Sequence, residues 1–253
     1  GENFGSGADG TYVRCSGGPH DDLSLAEGLI VSCNDALMQV GRSLGPEKLL
    51  KNISLFGFGR QTGIDLPYEN AGSVHTMDNM DDITLATNSF GQNYNVTMVQ
   101  MAMALCSVVN GGTYYQPHLM KEIVDEDGTV VKRFEPTVMH KTVTKQTSDF
   151  VKKALRRVVT EGTGTAAALG SYEVGGKTGT AEKLPRKDKK YLVSFAGLVP
   201  ADDPKLIVYV VVDNPSYQDG SPLEVNASIA TALEKSFMEK ILPYTDVPKA
   251  SSE

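Results

Sequence analysis

Three strand-length runs near the C-terminal end restrict this chain more than any other feature. They are Tyr172–Ala181, Tyr191–Val199 and Leu206–Val212. The last, Leu206-Ile207-Val208-Tyr209-Val210-Val211-Val212, is dense in β-branched residues, which suit a pleated, packed surface. A charged loop up to Lys190 joins the first pair, and Pro200-Ala201-Asp202-Asp203-Pro204 joins the second. Both connections are short enough for antiparallel hairpins. The expected product is a three-strand meander whose apolar faces must be covered by the rest of the chain.

The rest reads mainly as helix. An apolar pattern over Leu23–Val31 predicts a short helix, and Ala36, Leu37, Val40 and Leu44 predict another ending near Gly45. Ser32 and Asn34, just before it, are residue types favoured as helix N-caps. Pro46 opens a third helix over Glu47–Phe56. A long polar loop runs from Phe56 through Asp82, and loops of that length are often functional. The spacing then predicts a helix over Thr97–Val109 with Met98, Met101, Ala102, Leu105 and Val109 inward, stopped by Asn110-Gly111-Gly112. Leu119–Phe134 reads as a hairpin turned at Asp127-Gly128. Ser148–Glu161 is a helix with Phe150, Val151, Ala154, Leu155, Val158 and Val159 on one face, and Thr163–Ala168 is small and flexible. A capping box at Ser221, Pro222 and Glu224 starts the last helix, striped by Val225, Ile229, Leu233, Phe237 and Ile241. Helices covering one antiparallel sheet make an α+β domain over residues 1–242, with a frayed tail over 243–253.

Composition narrows the partners. The net charge of −7 argues against nucleic acid reached by electrostatics. No apolar run approaches the roughly 20 residues that span a bilayer, and no signal peptide is visible at the start. Any anchor or export signal is therefore expected outside these residues. Cys15, Cys33 and Cys106 are odd in number, and their spacing suits neither a zinc site nor a disulfide framework. The four histidines are scattered, so no metal and no cofactor are expected.

Chemistry concentrates in Gly175-Gly176-Lys177-Thr178-Gly179-Thr180-Ala181-Glu182. Lys177 can pair with a carboxylate as a point charge, and Thr178 and Thr180 offer hydroxyls. Gly179 lets a ligand backbone lie close. The same residues suit a polar edge strand with one solvated lysine. A phosphate loop is a third reading, but Gly170 stands one residue too far from Gly176-Lys177-Thr178. The charged, proline-bearing run after Glu182 also lacks the apolar stripe of the helix such a loop requires.

Several pieces fall in one order: Ser32-Cys33-Asn34, Phe90-Gly91-Gln92 with Asn95-Val96-Thr97 and Gln100, Asn110-Gly111-Gly112, Glu161-Gly162-Thr163-Gly164-Thr165-Ala166, Gly176-Lys177-Thr178-Gly179-Thr180-Ala181-Glu182 and Ser194-Phe195-Ala196-Gly197. From about Thr11 to the final helix, this set resembles the transpeptidase domain of class B penicillin-binding proteins, especially those of Gram-positive, spore-forming bacteria. The resemblance implies the serine β-lactamase/D,D-transpeptidase fold. It also implies acyl transfer from D-alanyl-D-alanine stem peptides of peptidoglycan, on the extracytoplasmic face of a membrane-anchored parent, with β-lactams as mimics. By the same resemblance, Ser32 relays protons, Lys177 supplies positive field and orients Ser32, and Asn34 bonds the acylated substrate. Thr178 and Thr180 receive the terminal carboxylate, and the Thr180 N–H is half of an oxyanion hole.

The family's nucleophile and base form a Ser-x-x-Lys pair on a helix. No serine of this chain has lysine three places on, and Thr142-Val143-Thr144-Lys145 lies too late in the order to stand in. The chain is therefore expected to be a partial domain, silent alone. The gap would be filled by a separate segment, a second copy or a rearrangement, since cavities cost about 24 cal/mol per Å³. A non-catalytic module that senses stem peptides or β-lactams is the alternative.

Overall fold

The computed structural model describes residues 2–4, 11–13, 15, 20–216 and 228–250. Two short strands, β1 (Glu2–Phe4) and β2 (Thr11–Val13), pair antiparallel. A helical region follows, with α1 (Leu25–Ile30), α2 (Asn34–Leu44), α3 (Pro46–Leu55), α4 (Asp82–Ser89) and α5 (Met98–Val109). Next come β3 (Thr113–Gln116), β4 (Glu122–Val124), β5 (Val130–Arg133), β6 (Thr137–Lys141) and α6 (Lys145–Glu161). The chain then forms β7 (Gly175–Glu182), β8 (Tyr191–Val199), β9 (Leu206–Asp213) and α7 (Ser228–Ile241).

The meander forms as expected, in the order β7-β8-β9 and antiparallel throughout. Lys177 stands opposite Ala196, and Ala196 opposite Tyr209. β8 is the central strand and is buried from Val193 to Val199. Val193, Phe195 and Val199 share a core with Ala230, Met238 and Leu242 from the α7 side and Val159 of α6. Leu198 packs instead with Val109 of α5 and Leu155 of α6. In the helical region Met38 of α2 meets Ala86 of α4 and Val13. A Cβ at Gly41 of α2 would lie 1.7 Å from Ser89 Oγ, so the two helices close up only over glycine.

The structure departs from the sequence reading in several places. Helix α4 begins where the expected polar loop ends, over residues to which the sequence pattern assigns no element. Its residues Ile83, Thr84 and Thr87 are β-branched and carry no clear stripe. Its N-terminus is fixed by Asp81, whose side chain accepts from the Thr84 N–H at 2.7 Å. The Thr87 and Ser89 hydroxyls bond back to the carbonyls of Ile83 and Leu85, which lets the helix bury polar residues. Strands β3 and β6 were also unforeseen, because each is short and pairs only across the intervening hairpin.

On α5 the wholly buried residues include Gln100 and Ser107, while Met98 is 52% exposed. Gln100 faces inward because its amide donates to the carbonyls of Arg60 and Ala71 at 2.7 and 2.8 Å, pinning the long loop. On α7 the buried residues are Ala230, Thr231, Glu234 and Met238, while Leu233 and Phe237 are half exposed. Close approach to the sheet selects small side chains, and Glu234 fills the space above Gly197, where a Cβ would lie 1.9 Å from its Oε1. The expected capping box of this helix lies outside the described residues. Residues 245–250 do not fray: Val247 is buried and the Ala250 N–H donates to the Ser171 carbonyl at 2.9 Å.

Candidate active site

Ser32 occupies the turn between α1 and α2. The turn is wound tightly, with the Ser32 and Cys33 N–H groups donating back to the carbonyls of Leu29 and Gly28. This winding holds Ser32 at φ 55°, a left-handed conformation uncommon for a residue with a side chain. The N-cap of α2 is Cys33, whose own side chain makes no capping hydrogen bond. Neither Ser32 nor Asn34 stands at the N-cap position. Asn34 is the first helical residue and half-buried.

Across from this turn, Lys177 projects from β7, and its Nζ donates to Ser32 Oγ at 2.7 Å and to the Thr178 carbonyl at 3.0 Å. The solvated-lysine reading therefore fails. Burial lowers the Lys177 pKa from 10.5 to about 8, because an ammonium withdrawn from water loses hydration. Near neutral pH it is a cation poised to give up a proton. Such a donor on a serine oxygen leaves the hydroxyl proton free to move and favours the alkoxide if it leaves.

Strand alternation sends Lys177 and Gly179 to one face of β7 and Thr178 and Thr180 to the other, and the open edge of this outermost strand is where side chains of both faces can meet one ligand. Thr178 is nearly buried, and its hydroxyl lies 2.8 Å from that of Thr163. Thr180 is exposed. A Cβ at Gly179 would lie 2.6 Å from Ser194 Oγ, so the glycine makes room for its own neighbour. The strand runs on to Glu182, and a 3-10 turn, Arg186–Asp188, follows, so no helix is present to complete a phosphate loop. The Thr142–Lys145 stretch is engaged elsewhere. Thr142 Oγ1 donates to Ser107 Oγ, and Lys145 pairs with Asp149 at 2.6 Å.

Two further residues hold the site together, and sequence reasoning gave neither a role. Gln92, in the turn after α4, donates through Nε2 to the Thr180 carbonyl at 3.2 Å. Thr163, in the turn after α6, touches both halves: its N–H donates to the Ile30 carbonyl at 3.4 Å while its hydroxyl meets Thr178. Gly162 permits this, since a Cβ there would lie 2.5 Å from the Ile30 oxygen. Both residues stand in quoted motifs, but the partner of a turn side chain is set by tertiary packing. Thr163→Val is expected to lower stability by about 1 kcal/mol in urea denaturation, with Thr163→Ser near wild type. Equal losses in both variants would show that the hydroxyl bond contributes nothing.

The family model described as the penicillin binding protein transpeptidase domain matches residues 11–234. Stage V sporulation protein D of Bacillus subtilis is 40% identical over 246 residues, covering 94% of this chain and 37% of that protein. Penicillin-binding protein PbpB of Mycobacterium tuberculosis is 32% identical over 204 residues, 76% of this chain and 30% of that one. The chain thus spans about a third of the length of these curated relatives. Among solved structures, penicillin binding protein 3 from Mycobacterium tuberculosis, in its apo form, superposes with a TM-score of 0.78 at 28% identity over 94% of this chain and 57% of that one. The same protein complexed with aztreonam gives 0.77 at 29% identity, over 90% and 53%.

Proposed function

Because the chain belongs to the penicillin-binding protein transpeptidase family, we propose that it forms the carboxylate-binding and proton-relay side of a peptidoglycan D,D-transpeptidase site. The 2.7 Å contact between Lys177 Nζ and Ser32 Oγ carries this reading. It joins a buried cation to a hydroxyl beside an edge strand, which an extended peptide can lengthen with its own backbone bonds.

In such acyl transfer a serine oxygen bonds to the carbonyl carbon of the penultimate D-alanine. The C–N bond breaks, and the terminal D-alanine leaves with a proton on its nitrogen. An amine of a second strand then displaces the serine. Ser32 passes the proton toward the leaving nitrogen, and Lys177 holds the Ser32 oxygen and attracts the terminal carboxylate. Thr180, exposed on β7, offers its hydroxyl to that carboxylate and its N–H to the developing oxyanion, a contact worth about 3 kcal/mol in such sites. Thr178 supports the carboxylate from its contact with Thr163, Gly179 keeps the strand narrow, and Asn34 bonds the acylated substrate's amide. β-Lactams enter as mimics of the same peptide. The substrate places this work on the extracytoplasmic face of the membrane, with anchoring by a segment outside these residues. Among the described residues no helix is long and apolar enough to cross a membrane.

No serine of the 253 residues stands three places before a lysine, so this polypeptide forms no acyl-serine by the family's route. Mixed with a fluorescent penicillin, it is expected to give saturable anisotropy and no mass increase under denaturing conditions. Absence of saturable binding would overturn the proposal. A covalent adduct mapped to Ser32 would make that residue a nucleophile instead of a relay. A binding module without catalysis is the second reading, favoured by the same missing pair.

A further inference from the structure

Folding assembles a second group of reactive side chains at the start of α2. Cys33, the residue between Ser32 and Asn34, is 4% exposed. Cys15 lies beside it, half-buried, and His20 completes the group from the exposed side. Cys15 Sγ and His20 Nδ1 are 3.6 Å apart, and the three donor atoms all lie within 4.8 Å of one another.

These separations can be compared with a metal's requirements. Tetrahedral zinc, with bonds of about 2.3 Å to sulfur and 2.0–2.1 Å to nitrogen, sets neighbouring S and N donors about 3.6 Å apart and two sulfurs about 3.8 Å apart. The Cys15–His20 separation already has that value, and the other pairs, within 4.8 Å, need to close by at most about 1 Å. Two thiolates and an imidazole are also a donor set that prefers zinc to magnesium or calcium. The spacing in sequence gave no hint, because its two cysteines belong to different parts of the chain and only the packing of residues 15 and 20 on α2 brings them together.

We propose that Cys15, His20 and Cys33 form a binding site for a thiophilic divalent cation, zinc foremost. The chain supplies three ligands, and with His20 exposed, water can supply the fourth. Both thiols give up their protons to solvent on binding, and His20 binds as neutral imidazole, so affinity rises with pH. The consequence reaches the candidate active site, since a metal on Cys33 Sγ fixes the residue next to Ser32. The ion acts as a staple on the turn that presents the Ser32 hydroxyl.

The test is cobalt(II) titration of the reduced 253-residue chain, followed by absorption and competition with zinc. One equivalent is expected, with thiolate-to-cobalt charge-transfer bands and the visible bands of tetrahedral coordination, all erased by zinc. Cys15→Ser and Cys33→Ser are each expected to lose roughly 100-fold or more in affinity, and Cys106→Ser none. Circular dichroism checks that each variant folds. Should Cys33→Ser unfold, Cys15→Ser at the half-buried position decides the outcome. A reduced chain that binds no cobalt overturns the site, as does binding unchanged by Cys15→Ser. Recovery of a Cys15–Cys33 disulfide from a chain that refuses metal even after reduction overturns it as well.

Discussion

Replacing Lys177 with Met is expected to weaken binding of an acyl-D-alanyl-D-alanine peptide by roughly tenfold to a hundredfold, the worth of one charge-assisted hydrogen bond. The unmodified chain should lose affinity as the pH rises through about 8, where Lys177 gives up its charge. Lys177→Met should bind weakly and equally on both sides of that value. Stability moves the other way. In the unfolded chain Lys177 titrates near 10.5 and in the folded chain near 8, so between those values the unfolded state holds more protons. Stability therefore rises with pH through that window, and below pH 8 the full burial cost, on the order of 3 kcal/mol, is present. Lys177→Met should remove this slope. Isothermal titration and denaturant curves across the pH range separate the two effects, and an unchanged peptide affinity in Lys177→Met would reject the proposed carboxylate site.

Glu234→Met is expected to raise stability by roughly 3 kcal/mol at pH 7, or several degrees in melting temperature. Glu234 is fully buried between α7 and β8, and neither carboxyl oxygen has a hydrogen-bond partner among the described residues. Burial lifts its pKa from 4.5 to about 8, since a carboxylate there would lose its hydration unpaid. Between those values the folded chain holds a proton that the unfolded chain has released. Glu234's contribution to stability should thus fall as pH rises from 4.5 to 8 and level off above, and Glu234→Met should lose that fall. Melting curves at several pH values provide the check. A less stable variant would show that the carboxyl makes bonds in the folded protein.

The sheet was legible because strand-length runs, one of them dense in β-branched residues, and short connections leave few alternatives, and β7, β8 and β9 fall within a few residues of the expected strands. The ordered motifs likewise marked Ser32 and Lys177, which the fold brings into contact. What escaped was set by tertiary partners. Helix α4 has a cap and back-bonded hydroxyls in place of a stripe, and α7 turns a carboxylate inward because Gly197 leaves a hollow. Thr163 and Gln92 were quoted only as motif letters. Their roles depend on Ile30, Thr178 and Thr180, which no local rule connects to them.

The hydroxyl of Ser32 and the ammonium of Lys177 are 145 positions apart in the chain. Closing so long a loop has an entropic cost larger than one hydrogen bond offsets, so the pair is held only where the rest of the fold holds it. A ligand that needs both groups therefore cannot recognise a half-folded chain or either half in isolation. Its binding reports that the meander and the N-terminal helices have docked.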